Sequence, residues 1–165
     1  AAFGAAFPPA ADMAWLAEVA ALESLQTEAY HAAEARALTR ADLEAARAQI
    51  GECRLALHPA LRLLRATTPV VTIWSSLQGD GEPAAPAHWR GEDALILRPE
   101  ADVETRLAPA GAHAFIAALR EGATPRAAAA AASCECGDFN AVAALIDLFD
   151  AGAVVGIHPP EERKS

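Results

Sequence analysis

The chain has 165 residues, 53% of them apolar, and a formal net charge of −9. Alanine supplies 45 of the 165, so the larger apolar residues make up about a quarter of the chain and the core they build is modest. A composition so rich in the best helix former predicts many thin, closely packed helices. It excludes an all-β sandwich, a collagen-like chain and a disordered acidic tail.

Acidic residues outnumber Lys and Arg by 22 to 13, and Lys164 is the only lysine. Phosphate binding needs clustered basic side chains, so nucleic acid is not the obvious partner. Cys53, Cys134 and Cys136 are odd in number, which argues against a secreted disulfide framework. No apolar run reaches the roughly 18 residues of a membrane span, and the first residues lack the basic region of a signal peptide. A cytoplasmic chain is expected. The start at Ala1-Ala2-Phe3-Gly4, without Met, reads as the beginning of a fragment.

Residues 1–11 end in Pro8-Pro9 and read as a loop or the tail of a preceding helix. Asp12 can cap a helix running to about Ala37. Its apolar face carries Trp15, Val19, Leu22, Gln26, Ala29 and Tyr30, with Leu16 and Leu25 beside them and Glu18, Glu23 and Glu28 on the wet side. Thr39 and Asp42 resemble a capping box for a short helix to about Gln49, stopped by Gly51. Cys53 to Leu57 alternates as a strand, interrupted by His58-Pro59, and an apolar stretch resumes at Leu61, Leu63 and Leu64. Thr68 and Pro69 open a helix to about Leu77, with Val70, Ile73, Trp74 and Leu77 buried.

Gln78 to Ala87 is rich in Gly and Pro and reads as a linker. Beyond it, Ala94–Arg98 and Val103–Leu107 are strands joined by a turn at Pro99-Glu100-Ala101-Asp102. Pro109 starts a helix ended by Gly122. Thr124 caps a second over Pro125–Ala132, and Asp138 caps a third over Phe139–Asp150, stopped by Gly152. Ala153–Ile157 is a last strand. The fold class is therefore mainly α, in the α+β sense, with four parts. These are a helical region at 1–78, a linker at 79–87, a winged-helix-like module at 88–158 and a tail at 159–165.

The residues show no nucleophile elbow, phosphate loop, dinucleotide fingerprint or metal-ligand spacing among the five histidines. Cys134-Glu135-Cys136 reads as a loop between helices that is short of zinc ligands. No enzyme activity, catalytic residue, cofactor or metal is expected. The third helix of the module carries two acids and no base, and residues 92–158 hold ten acids against four arginines. A groove-reading helix needs donors, so a transcription-regulator-like DNA binder is the weaker alternative, beside a protein-interaction scaffold.

Phe7-Pro8-Pro9-Ala10-Ala11-Asp12, Leu22-Glu23 and Ala29-Tyr30-His31-Ala32-Ala33 form one set of characteristic runs. Leu57-His58-Pro59-Ala60-Leu61-Arg62-Leu63-Leu64 follows, then Pro69-Val70, Ile73-Trp74, and Leu95-Ile96-Leu97-Arg98-Pro99 through Val103-Glu104-Thr105-Arg106. Together they resemble the HvfC/BufC family, long labelled as carrying a DNA-binding domain and related to methanobactin biosynthesis proteins. Ser24, where the family pattern has Trp, and the Cys134-Glu135-Cys136 run depart from it.

The resemblance implies a further helical region ahead of Ala1 and a PqqD-like peptide-recognition module at the C-terminal end. It also implies a non-catalytic partner of a multinuclear non-haem iron-dependent oxidative enzyme. Such a partner binds the leader of a ribosomally made precursor peptide (RiPP maturation). Strand addition plus a neighbouring helix is the expected mode. The candidate peptide contacts are Val103, Glu104, Thr105, Arg106 and Leu107 on the strand and Leu145 and Phe149 on the third helix, the last two being core otherwise. Arg98 and Arg106 are candidates to meet acidic leader side chains, or to pair with Glu100 and Glu104. His58, at a bend, and Trp89, which either docks the two parts or anchors a partner, are the candidate partner contacts.

Overall fold

The computed structural model describes residues 13–78 and 85–160, so the expected Asp12 cap and most of the linker lie outside the described residues. The chain is mainly helical, α+β, with two small antiparallel sheets. In order it runs α1 (Ala14–Tyr30), α2 (Arg40–Ala46), a 3-10 turn (Ile50–Glu52), β1 (Arg54–Leu57), β2 (Arg62–Arg65) and α3 (Val70–Leu77). Then come β3 (Asp93–Leu97), β4 (Glu104–Leu107), α4 (Ala112–Arg120), α5 (Pro125–Glu135), α6 (Ala141–Asp150) and β5 (Val154–His158). No helix of the described residues is long and apolar enough to cross a membrane.

The sheets are assembled across the linker. β1 pairs with β5, and β2 pairs with β3, which pairs in turn with β4. Residues 54–65 therefore complete the sheets of the C-terminal segment, and β5 pairs with β1 where a winged helix would fold it back onto the β3–β4 hairpin. β3 lies at the centre, and Ala94 to Leu97 are all buried because each face of the strand meets a different core. Leu95 and Leu97 face the cluster of Phe115, Ile116, Leu119, Leu148 and Val154. Ala94 and Ile96 face Val19, Leu22, Val70 and Ile73.

Local signals place several ends. The Thr39–Asp42 capping box forms, with the Thr39 N–H donating to Asp42 Oδ2 at 2.7 Å. Thr124 accepts from the Ala127 N–H, with Pro125 in the first turn of α5. Gly111, at φ +79°, precedes α4, and a Cβ there would stand 2.8 Å from Phe139 Cδ2, so this turn admits only glycine.

Distant partners set the others. α1 stops at Tyr30, well short of Ala37, although the following alanines favour helix. The Arg98 guanidinium takes the carbonyls of Ala29 (3.2 Å) and Ala32 (2.8 Å), and the Leu38 N–H donates to Val154 O at 2.8 Å, which draws the segment out. Tyr30, expected on the buried stripe, is 60% exposed. Thr68 does not cap α3. The Glu92 carboxylate takes the Thr72 N–H (2.9 Å) and hydroxyl (2.6 Å). Thr68 and Thr67 instead donate backbone and side-chain bonds to Glu18, expected on the wet face. Partial burial alone would raise the Glu18 pKa, and these bonds together outweigh it and hold the carboxyl below its ordinary value.

α5 runs past Ala132 to Glu135, so Cys134 and Glu135 are helical where a loop was expected. Arg65 grips that end, bonding both Glu135 oxygens (3.0 and 2.8 Å) and both oxygens of Asp93 (3.0 Å each). Asn140 caps α6 in place of Asp138, its Oδ1 accepting from the Ala143 N–H at 3.0 Å.

Candidate functional site

β4 is an edge strand. One side pairs with β3, and no strand pairs with the other among the described residues. The Ala108 N–H donates to Asp93 O at 2.8 Å, and strand parity then turns the N–H and C=O of Arg106 and Glu104 towards β3. The N–H and C=O of Thr105 and Leu107 point the opposite way, to the open edge. Exposed edges are templates for a further strand.

The side chains alternate on the same logic. Thr105 and Leu107 stand opposite Ile96 and Ala94, on the α1 side of the sheet, and Gln26 Nε2 donates to Thr105 Oγ1 at 2.8 Å. Glu104 and Arg106 stand opposite Leu97 and Leu95, on the α6 side. There a cavity of about 550 Å³ opens between β4 and α6. Its apolar wall is Leu95, Ile116, Phe139, Ala143, Ala144 and Leu148, with Arg106 and Asp147 at the rim. A second hollow shares Arg106 and Asp147 and continues past Glu104 to the Arg40–Asp150 ion pair (3.1 Å). A third shares Leu107, Ala108 and Cys136 and ends at Arg65 and Glu135. The first two adjoin at Arg106 and Asp147 and line β4 as a trough, and the third adjoins the first at Leu107. Leu107, 54% exposed, stands at the edge of the trough.

The structure brings the predicted strand and the third helix together, but through other helix residues. Leu145 and Phe149 are buried core, with Phe149 also reaching the second hollow. The face of α6 turned to the trough is Asn140, Ala143, Ala144 and Asp147. Apolar periodicity marks the face that is filled. The trough is instead where alanines leave space, and a run of small residues gives no comparable signal.

Arg98 is not available to a ligand. It is 6% exposed and bonds Ala29 O, Ala32 O, Glu100 O and, at 2.6 Å, Glu34 Oε1. The bond to Glu34, with the guanidinium charge, holds the Glu34 carboxyl below its ordinary pKa. Val103 is half-buried against the α1 core. His58, 3% exposed, is no surface contact: its Nδ1 accepts from the Ala60 N–H at 3.1 Å, its backbone N–H donates to Ala153 O, and its buried Nε2 has no partner among the described residues. Trp89 is 62% exposed, so among the described residues it is not packed as a core contact between the two parts of the chain.

All three cysteines are free. Cys136 lies where two of the hollows meet, its thiol donating to Asp138 Oδ1 at 2.9 Å. That bond, with partial burial behind it, pushes the thiol pKa up and keeps the group protonated at neutral pH. Among the described residues, no three His, Cys, Asp or Glu side chains gather as a metal site.

Comparison with models of known protein families, with characterised proteins and with solved structures gives no match. The resemblance to the HvfC/BufC family rests on the sequence runs alone.

Proposed function

We propose that this chain is a non-catalytic peptide-binding protein that holds the leader of a ribosomally made precursor peptide for an iron-dependent oxidative enzyme. The observation behind peptide binding is the open edge of β4 beside an apolar trough. The edge offers two N–H and two C=O groups, at Thr105 and Leu107, to an extended chain. The trough offers space to its side chains. The enzyme partner follows from the family resemblance, and the exposed Trp89 is the contact to test for it. A DNA-reading role has no such support: α6 displays Asp147 and Asp150 and no basic side chain.

Leu107→Pro tests the mode of binding. The Leu107 N–H makes no ladder bond and its side chain is exposed, so proline there leaves the β3–β4 pairing intact. It removes one donor from the edge and crowds an incoming strand. A labelled precursor-peptide leader that binds the unaltered chain should bind this variant at least about tenfold more weakly, with little change in melting temperature. Unchanged affinity would rule out strand addition at β4. Equal binding of the leader to the isolated enzyme would rule out the partner role.

A further inference from the structure

We propose that the trough selects an extended segment with an apolar and a cationic side chain two residues apart. This rests on the strand-addition reading above and goes on to specify the ligand. A strand added at the β4 edge keeps the alternation of the sheet. The ligand residues opposite Glu104 and Arg106 therefore both turn towards α6, and they are two positions apart.

Their surroundings differ. Opposite Arg106 lies the apolar cavity against Phe139, Ala143 and Ala144, which has room for an aliphatic side chain. Opposite Glu104 lies the second hollow, where Glu104, Asp147 and Asp150 stand close to the path of the ligand. Arg40 is already paired with Asp150 there, and Arg106 is the other basic residue lining the hollow, beside Glu100, Glu104 and Asp147. A lysine or arginine completes this set, and an acid adds a like charge to it. The acidic leader side chain expected from Arg98 and Arg106 is thereby reversed: Arg98 is consumed inside the fold, and Arg106 stands among carboxylates.

The test uses the full chain and short fluorescein-labelled peptides in an extended Thr-rich context. One carries Leu and Lys two residues apart, and a second has Glu in place of Lys. At low salt the lysine peptide should bind about fivefold more tightly or better, and the difference should shrink at about 0.5 M NaCl. Asp147→Lys, an exposed change, should cancel or invert the preference. Equal binding of the two peptides, or tighter binding of the glutamate peptide, overturns the charge selection and leaves strand addition standing. Failure of both to bind, or a dimer joined through β4 that excludes them, overturns strand addition as well.

Discussion

Replacing Arg98 with alanine is expected to lower the stability of the folded chain by about 3 kcal/mol. The side chain is buried at the end of β3 and satisfies three carbonyls, two of them at the C-terminal end of α1. Truncation leaves those carbonyls without their charged donor and opens a space between α1 and the sheet. The Glu34 carboxylate loses its partner at little cost, because it faces water. Arg98→Lys should recover only part of the loss, since one ammonium cannot reach every acceptor that the planar fork reaches. Urea denaturation checks both variants, with a lower midpoint and an unchanged slope. A loss below about 1 kcal/mol for the alanine variant would mean that the α1 end is held by other contacts.

Phe115→Ala should cost about 3–5 kcal/mol, the range for removing a fully buried aromatic ring. Phe115 is fully buried in α4 and meets Phe139 with ring centroids 5.3 Å apart. Phe139 in turn walls the trough, so the void left by Phe115 opens beneath the proposed ligand site. Thermal melts measure the stability loss, and peptide titration below the new melting temperature shows whether the wall still stands. Leu107→Ala gives the contrast. The residue lies at the exposed rim, and its loss should change stability by less than about 0.5 kcal/mol. Similar losses for the two variants would contradict this division between core and rim.

Features legible in the sequence were those whose causes lie within a few residues. The Thr39–Asp42 box, the Thr124–Pro125 start and the β3–β4 hairpin are such cases. The misplaced ends have partners far along the chain. Arg98 ends α1 across 69 positions, and Glu92 caps α3 across 20 after Thr68 has turned to Glu18. The two-part division at 79–87 read a local Gly and Pro signal. Whether strands pair across such a segment depends on the register of β1 with β5 and β2 with β3, which composition does not encode.

The candidate site was legible in half. The turn at Pro99–Asp102 and the strand signal after it marked β4 in the sequence, whereas its register with β3, which turns Glu104 and Arg106 to the α6 side, is a feature of the structure. The opposing wall escaped because Ala143 and Ala144 contribute by being small. The alanine excess thus has two consequences. It keeps the core thin, and on α6 it leaves the space that makes a trough.

Backbone amide exchange followed by NMR, on the full chain alone and saturated with the lysine-containing peptide, tests strand addition most directly. The predicted result is slow exchange at Thr105 and Leu107 only when peptide is bound, with the Arg106 amide already protected in the free chain by its bond to β3. Protection that arises elsewhere, with Thr105 and Leu107 still exchanging freely in the complex, would contradict it.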